Sequence, residues 1–186
     1  RHAIPYLWGT TGLGINVKAV REALGDSVPL DSWALLFDPA IVAKLKSCGV
    51  TLLDAADEMI PHALHYLGED PNSQNLSLIR GPAKQALLAI RPYIRYFHSS
   101  KYINDLANGE ICLALGWSGD VLQAAERASE ADNGVEVRYV IPREGANLWI
   151  DTLAIPRDAP HPDNAHRFID FLLRPDIIAE ITNTVW

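Results

Sequence analysis

Five side chains stand out for what their types and spacing would do together. Glu58, Asp120 and Asp151 are carboxylates placed at strand-to-helix junctions or on a strand beside an aromatic, and Trp117 and Trp149 are indoles within three residues of Asp120 and Asp151. An indole face attracts a cation, by roughly 0.5–2 kcal/mol. It also buries a methylene chain, at about 0.8 kcal/mol per CH₂. A neighbouring carboxylate adds a charge-assisted hydrogen bond with a direction. Ring plus carboxylate is therefore a receiver for an alkylammonium group. Each acid also has a plainer explanation. Glu58 and Asp120 fall in first helical turns, where the helix dipole favours acids whatever the function. Trp117 could serve as core filler, and Asp151 could be an exposed acid on an edge strand. Against the edge-strand reading, Trp149, Asp151 and Leu153 alternate onto one strand face. A carboxylate there, between two apolar side chains, is expected to be partly buried and to need a cation or donors.

The elements that must hold these residues are an alternation of short apolar runs and amphipathic stretches, the signature of an α/β fold. Residues 3–8 and 13–17 read as extended, separated by Gly9-Thr-Thr-Gly12. Residues 17–24 and 40–47 read as helices, and Leu30-Asp31-Ser32-Trp33 as a helix start with Asp31 or Ser32 as N-cap. Val50–Leu53 is a strand, and Asp54-Ala-Ala-Asp-Glu58 opens a helix that Gly68 stops near Leu67. A loop over 70–75 leads into a second long helix at 76–90, closed by Pro92. A strand at 95–97, a helix at 99–108 and a strand at 110–115 follow, and Gly116-Trp-Ser-Gly-Asp120 starts the helix 118–130. Strands at 135–141 and 148–155 precede helices at 162–173 and 175–184, each with Pro near its first turn. Glu58 and Asp120 thus lie beyond the carboxyl ends of strands, where open α/β sheets bind ligands. Pro142-Arg-Glu-Gly145 reads as the switch between two lobes.

Two competing motifs do not hold up. Glu58, His62 and His65 share one helical face, but the pattern is not His-Glu-x-x-His, no fourth ligand is indicated and Pro61 interrupts, so no metal is expected. Gly9-Thr-Thr-Gly12-Leu-Gly14 lacks the Lys of a phosphate loop and the βαβ context of a dinucleotide site. It reads as chain passing closely between lobes, and no cofactor is expected. Glu58 and Asp120 as the acid–base pair of a hydrolase would require carboxyls roughly 5–9.5 Å apart in a sugar-sized groove. No Ser/His or Cys/His pairing supports covalent hydrolysis.

The chain has 186 residues, enough for one sizeable domain or two small ones, and a net charge of -7. That sign argues against a nucleic-acid partner, which needs clustered Lys and Arg, and is compatible with a cationic ligand. No run of 18 apolar residues is present to make a helical span. The opening Arg1-His2-Ala3-Ile4-Pro5 reads as an extended segment entered mid-protein, and the chain stops at Trp186 directly after a helix. Cys48 and Cys112 each border an apolar strand. A disulfide is geometrically open to them if those strands are neighbours. Two buried free thiols are the ordinary alternative, and a secreted setting would reverse that preference.

Several runs together are specific: Tyr6-Leu-Trp-Gly-Thr-Thr-Gly-Leu-Gly-Ile-Asn16, Asp31-Ser-Trp33, Leu45-Lys-Ser-Cys-Gly-Val50, Arg91-Pro-Tyr-Ile-Arg-Tyr-Phe-His-Ser-Ser100, Tyr102-Ile-Asn-Asp-Leu-Ala-Asn-Gly109, Gly116-Trp-Ser-Gly-Asp120 and Leu172-Leu-Arg-Pro-Asp176. Across essentially the whole chain the sequence resembles bacterial periplasmic polyamine-binding proteins, the putrescine and spermidine receptors of ABC importers. The resemblance implies a type II periplasmic-binding fold, with two α/β lobes closing over ligand. It implies that residues 1–148 are mainly lobe 2, with an inter-lobe crossing strand near 3–8, and that 149–186 belong to lobe 1. It implies a polyamine ligand, an ABC transporter permease as partner, a periplasmic location and no enzymatic activity. Residue by residue it implies ligand contacts at Glu58, Trp117, Asp120, Trp149 and Asp151. Trp at position 149, often Phe in putrescine-preferring members, tilts the reading toward spermidine, with a receptor for another cationic solute as the nearest alternative. Family members with cysteines matching Cys48 and Cys112 can carry a disulfide. Measured against such receptors, roughly the first third, with an aromatic-Ser/Asp-Tyr segment, and a C-terminal section, with a Tyr just after Trp186, have no counterpart here. Weak polyamine binding or none is therefore expected of these 186 residues alone.

Overall fold

The structure, a computed structural model, describes residues 3–185. Arg1, His2 and Trp186, which close the expected segments at either end, lie outside the described residues. Internal contacts group the chain into two units. One runs from Thr10 to Asn147, and the other joins the segment ending at Gly9 to the segment starting at Leu148.

The Thr10–Asn147 unit is built on a mixed sheet in the order β3 (Ile94–Phe97), β2 (Val50–Leu52), β4 (Leu113–Trp117), β1 (Ile4–Asn16), β5 (Val137–Val140). β2 runs parallel to both β3 and β4, and β1 runs antiparallel to β4 and β5. Parallel neighbours need crossovers, and helices supply them: α4 (Ala56–Leu67) and α6 (Lys84–Ile90) between β2 and β3, α7 (Lys101–Ala107) between β3 and β4. α1 (Val17–Leu24), α2 (Ala34–Phe37), α3 (Pro39–Leu45), the single turn α5 (Leu76–Leu78) and α8 (Ser118–Ala131) complete the unit. The core is continuous: Leu13 and Ile15 of β1, Val50 and Leu52 of β2, Leu113 and Leu115 of β4 and the large side chains Trp33, Phe37 and Tyr102 are all at most 2% exposed.

Three expectations are corrected. The two extended segments at 3–8 and 13–17 are one strand, β1. Gly12 and Gly14 serve close approach within it rather than a break. A Cβ on Gly12 would lie 2.6 Å from the Val140 carbonyl oxygen, and one on Gly14 would lie 2.8 Å from Leu106 Cδ1 and 2.9 Å from Val121 Cγ2. The helix expected over 76–90 is interrupted by a π turn at Ile79–Ala83 containing Gly81-Pro82, where proline removes an amide donor from the ladder. The strand expected over 110–115 lies at Leu113–Trp117, so Trp117 is its last residue and the cap of α8.

Cys48 and Cys112 form a disulfide, with Cα atoms 5.5 Å apart and a sequence separation of 64. They sit just ahead of β2 and β4, whose first residues Val50 and Leu113 pair directly. The parallel register is what places the two sulfurs together. Closing a loop of this length stabilises a fold by about 2–4 kcal/mol.

The other unit contains β6 (Leu148–Leu153), which pairs with β1, and the helices α9 (Pro162–Leu172) and α10 (Pro175–Val185). Each helix begins on proline, whose missing N–H is one that a first turn leaves unbonded anyway. The boundary between the units falls at Asn147–Leu148, and the 142–145 segment read as a switch is inside the first unit. Asp31-Ser32-Trp33 holds it there. Arg143 N–H donates to the Asp31 carbonyl (2.9 Å) and Trp33 Nε1 donates to the Gly145 carbonyl (2.7 Å). Glu144 accepts from the Ser32 hydroxyl and from Trp33 N–H. Ser32 also accepts from Ala34 N–H, but α2 has Trp33 at its cap position.

Candidate ligand-binding site

Because β2 and β4 are parallel neighbours, their carboxyl ends open on the same edge of the sheet, and each feeds a helix there. β2 leads into α4 and β4 into α8. Glu58 lies in the first turn of α4 and Asp120 in the first turn of α8. Trp117, the last residue of β4, stands between them. Its indole Nε1 donates to Glu58 Oε1 (3.2 Å), and its backbone N–H donates to the Tyr102 hydroxyl (3.1 Å). The Tyr102 O–H in turn donates to Asp120 Oδ2 (2.6 Å). Glu58, Trp117 and Asp120 are thus linked through one chain of hydrogen bonds, and all three are half-buried.

The electrostatics follow from burial. Desolvation raises the Asp120 carboxyl above the usual carboxylate range, against the Tyr102 hydrogen bond and the Arg127 charge, which both favour the anion. The Tyr102 phenol is pushed well above its ordinary value, first by burial and then by its bond to Asp120. Glu58 Oε2 is buried and has no partner among the described residues. A buried carboxylate oxygen without a donor is costly, and a ligand N–H or ammonium would satisfy it.

Four residues that the sequence reading passed over belong to this neighbourhood. Tyr102 is fully buried at the centre of the network. Thr10 shares a 2.7 Å hydroxyl contact with Tyr139, and Ser118 Oγ accepts from Thr10 N–H (3.3 Å). Burial, and then the charge of Glu58, push the Tyr139 phenol up to about 12, with the Thr10 bond opposing. The signal for Tyr102 was Gly116: a Cβ there would lie 2.6 Å from Tyr102 Cε2, so the glycine preceding Trp117 marks the ring that packs on it.

His62 turns out to be structural. It is fully buried and packs 4.6 Å from the Trp33 ring. Nδ1 donates to the Glu58 carbonyl and Nε2 accepts from Asn147 N–H (3.4 Å), so backbone engages both nitrogens. Burial lowers its pKa to about 4, with His65 adding to the lowering and the Glu58 carbonyl opposing it. Asn147 also accepts from Thr11 N–H (3.1 Å). The neutral imidazole therefore seats the last residue of this unit.

Trp149 and Asp151 stand on β6 in the other unit, on one strand face with Leu153. Asp151 is exposed, where partial burial was expected, and Trp149 is half-buried with an indole N–H that has no partner among the described residues.

Residues 2–185 match the family described as bacterial extracellular solute-binding protein, and the chain belongs to it. Among relatives, it is 53% identical over 186 residues to the putrescine-binding periplasmic protein PotF of Escherichia coli K12, covering 100% of this chain and 50% of that one. It is 53% identical over 184 residues to the putrescine-binding periplasmic protein SpuD of Pseudomonas aeruginosa UCBPP-PA14, covering 99% and 50%. The chain spans about half the length of these relatives. Among solved structures, the spermidine/putrescine ABC transporter substrate-binding protein PotD of Streptococcus pneumoniae superposes with a TM-score of 0.73 at 25% identity, over 96% of this chain and 50% of that one. The TpPotD lipoprotein of Treponema pallidum matches in fold, with a TM-score of 0.78 at 23% identity, over 100% and 54%. The α/β fold is the type II periplasmic-binding fold.

Proposed function

We propose that this chain is the ligand-binding portion of a periplasmic polyamine receptor, with a role in capture rather than catalysis. The unit Thr10–Asn147 acts as lobe 2 and contributes Glu58, Trp117 and Asp120. The unit containing β6 acts as part of lobe 1 and contributes Trp149 and Asp151. The ligand is a slender di- or tri-cation such as putrescine or spermidine, handed to the permease of an ABC importer. The observation that carries this reading is the Trp117 indole, tethered to one carboxylate by its ring nitrogen and to a second through Tyr102, with a buried Glu58 oxygen left over for a donor. Aromatic surface takes the methylenes, and the acids take the ammonium ends. The names of the relatives support the ligand class, and Trp149 favours spermidine over putrescine.

Calorimetry on a full-length receptor containing this segment, comparing putrescine, spermidine and arginine, tests the reading. Polyamine binding at least tenfold tighter than arginine is expected. Preference for arginine would move the protein to another cationic solute. The 186-residue chain by itself is expected to bind polyamines more weakly than micromolar.

A further inference from the structure

We infer that Tyr102 is a positioning and specificity-determining residue for this site, fixing Asp120 so that it receives an alkylammonium in preference to a guanidinium. The inference rests on the function proposed above and extends it to a residue outside the ligand's reach.

Tyr102 is fully buried on α7 and meets the site through its hydroxyl. That oxygen accepts from Trp117 N–H (3.1 Å) and donates its single proton to Asp120 Oδ2 (2.6 Å). One phenol therefore sets both the strand end that carries the indole and the rotamer of the carboxylate. Gly116 makes this possible by leaving room for the ring. With one lone pair of Oδ2 already taken by a short bond, Oδ1 is the freer oxygen for a strong new one. A guanidinium gains its advantage from two parallel bonds to both oxygens of a carboxylate, whereas an ammonium is a point charge satisfied by one. An Asp120 held this way matches the end of a diamine. The phenol also donates to the ionised form, which keeps the carboxylate charged despite its burial. The other ionisable groups around it are Arg127 on α8 itself, Glu58 on α4 across the indole, and Tyr139 on β5.

The test is Tyr102→Phe, which keeps the ring and deletes the hydroxyl. Without ligand, the ¹³C carboxyl titration of Asp120 is expected to move up in pH relative to wild type. In the wild type, the Tyr102 ring carbon bearing the hydroxyl is expected to titrate with the same midpoint as Asp120, a reading that needs no variant. NMR titrations with 1,4-diaminobutane and with its mono-guanidinium analogue then give the selectivity. The variant is expected to lose roughly tenfold in diamine affinity, the scale of one hydrogen bond to a charged group, and less for the guanidinium ligand, so the ratio of the two shifts toward the latter. An unmoved Asp120 midpoint, or equal loss for both ligands, would overturn the inference. Binding of neither compound by a full-length receptor containing this segment would overturn the functional reading and with it the selectivity role. The ligand-free titration would still decide whether Tyr102 holds Asp120.

Discussion

The two units hold an indole and a carboxylate in different ways. In Thr10–Asn147, Trp117 and Asp120 are set on a sheet with its own core, and each is hydrogen-bonded before any ligand arrives. On β6, Trp149 and Asp151 repeat the pairing of indole and carboxylate, but no described side chain donates to Asp151 or accepts from the Trp149 indole. The packing differs in parallel. Among the described residues of the second unit, Ile169 is the one buried apolar side chain, while Trp8, Leu148, Ile150 and Phe168 are each more than half exposed. A site residue is preorganised where the element carrying it is pinned from behind. The first unit has the disulfide, Tyr102 and Trp33 for that purpose.

Hydrogen exchange sharpens the contrast most strongly. Amides of β2 and β4 are expected to open only with the whole unit, and those of β6, α9 and α10 by local fluctuation. Protection should differ by about a thousandfold or more, equivalent to about 4 kcal/mol. Equal protection in the two units would remove the distinction.

Acid comes next, through His62. Its folded-state pKa of about 4 lies below the ordinary 6.5, so the fold binds fewer protons there than the unfolded chain does. The stability tied to the neutral imidazole is present above pH 6.5 and is lost as pH falls from 6.5 through 4. By linkage it amounts to about 3 kcal/mol. Denaturant midpoints of the first unit should fall across that window, and His62→Gln should flatten the fall. A wild-type profile that is already flat would show that His62 does not titrate as its burial demands.

The smallest effect concerns the two acids directly. In the 186-residue chain, Asp120→Asn should weaken diamine binding by roughly tenfold, and Asp151→Asn by less, because an exposed ion pair contributes little. NMR titration of both variants checks the order, and the reverse order would make Asp151 the stronger ligand contact.

Much of this was legible in the sequence. Short apolar runs marked the neighbourhood of the strands, although 3–8 and 13–17 are one strand and 110–115 lies at Leu113–Trp117, and Gly68, Pro92 and Gly109 mark where helices or helical turns end. Strand ends followed by first-turn acids pointed to Glu58 and Asp120, and the family motifs covered Trp117. What was hidden depends on which strands become neighbours. Gly12 reads as a turn until β5 is seen packed on it. Tyr102 reads as one more apolar helix position until β3 and β4 fold its hydroxyl beneath Trp117. His62 shares a helix face with Glu58 and His65, and the backbone partner that explains it, Asn147, is 85 residues away. The partial burial expected for Asp151 rested on alternation alone, which says which residues share a face but not what covers that face.

The central claim is that Trp117 and its two carboxylates form a receiver for an alkylammonium. Following the indole N–H resonances during a titration with putrescine tests it most directly. The account predicts a saturable shift of the Trp117 indole that is strongly weakened in Asp120→Asn. A Trp117 resonance that stays fixed while ligand binds, or one that shifts identically with Asp120 removed, would contradict it.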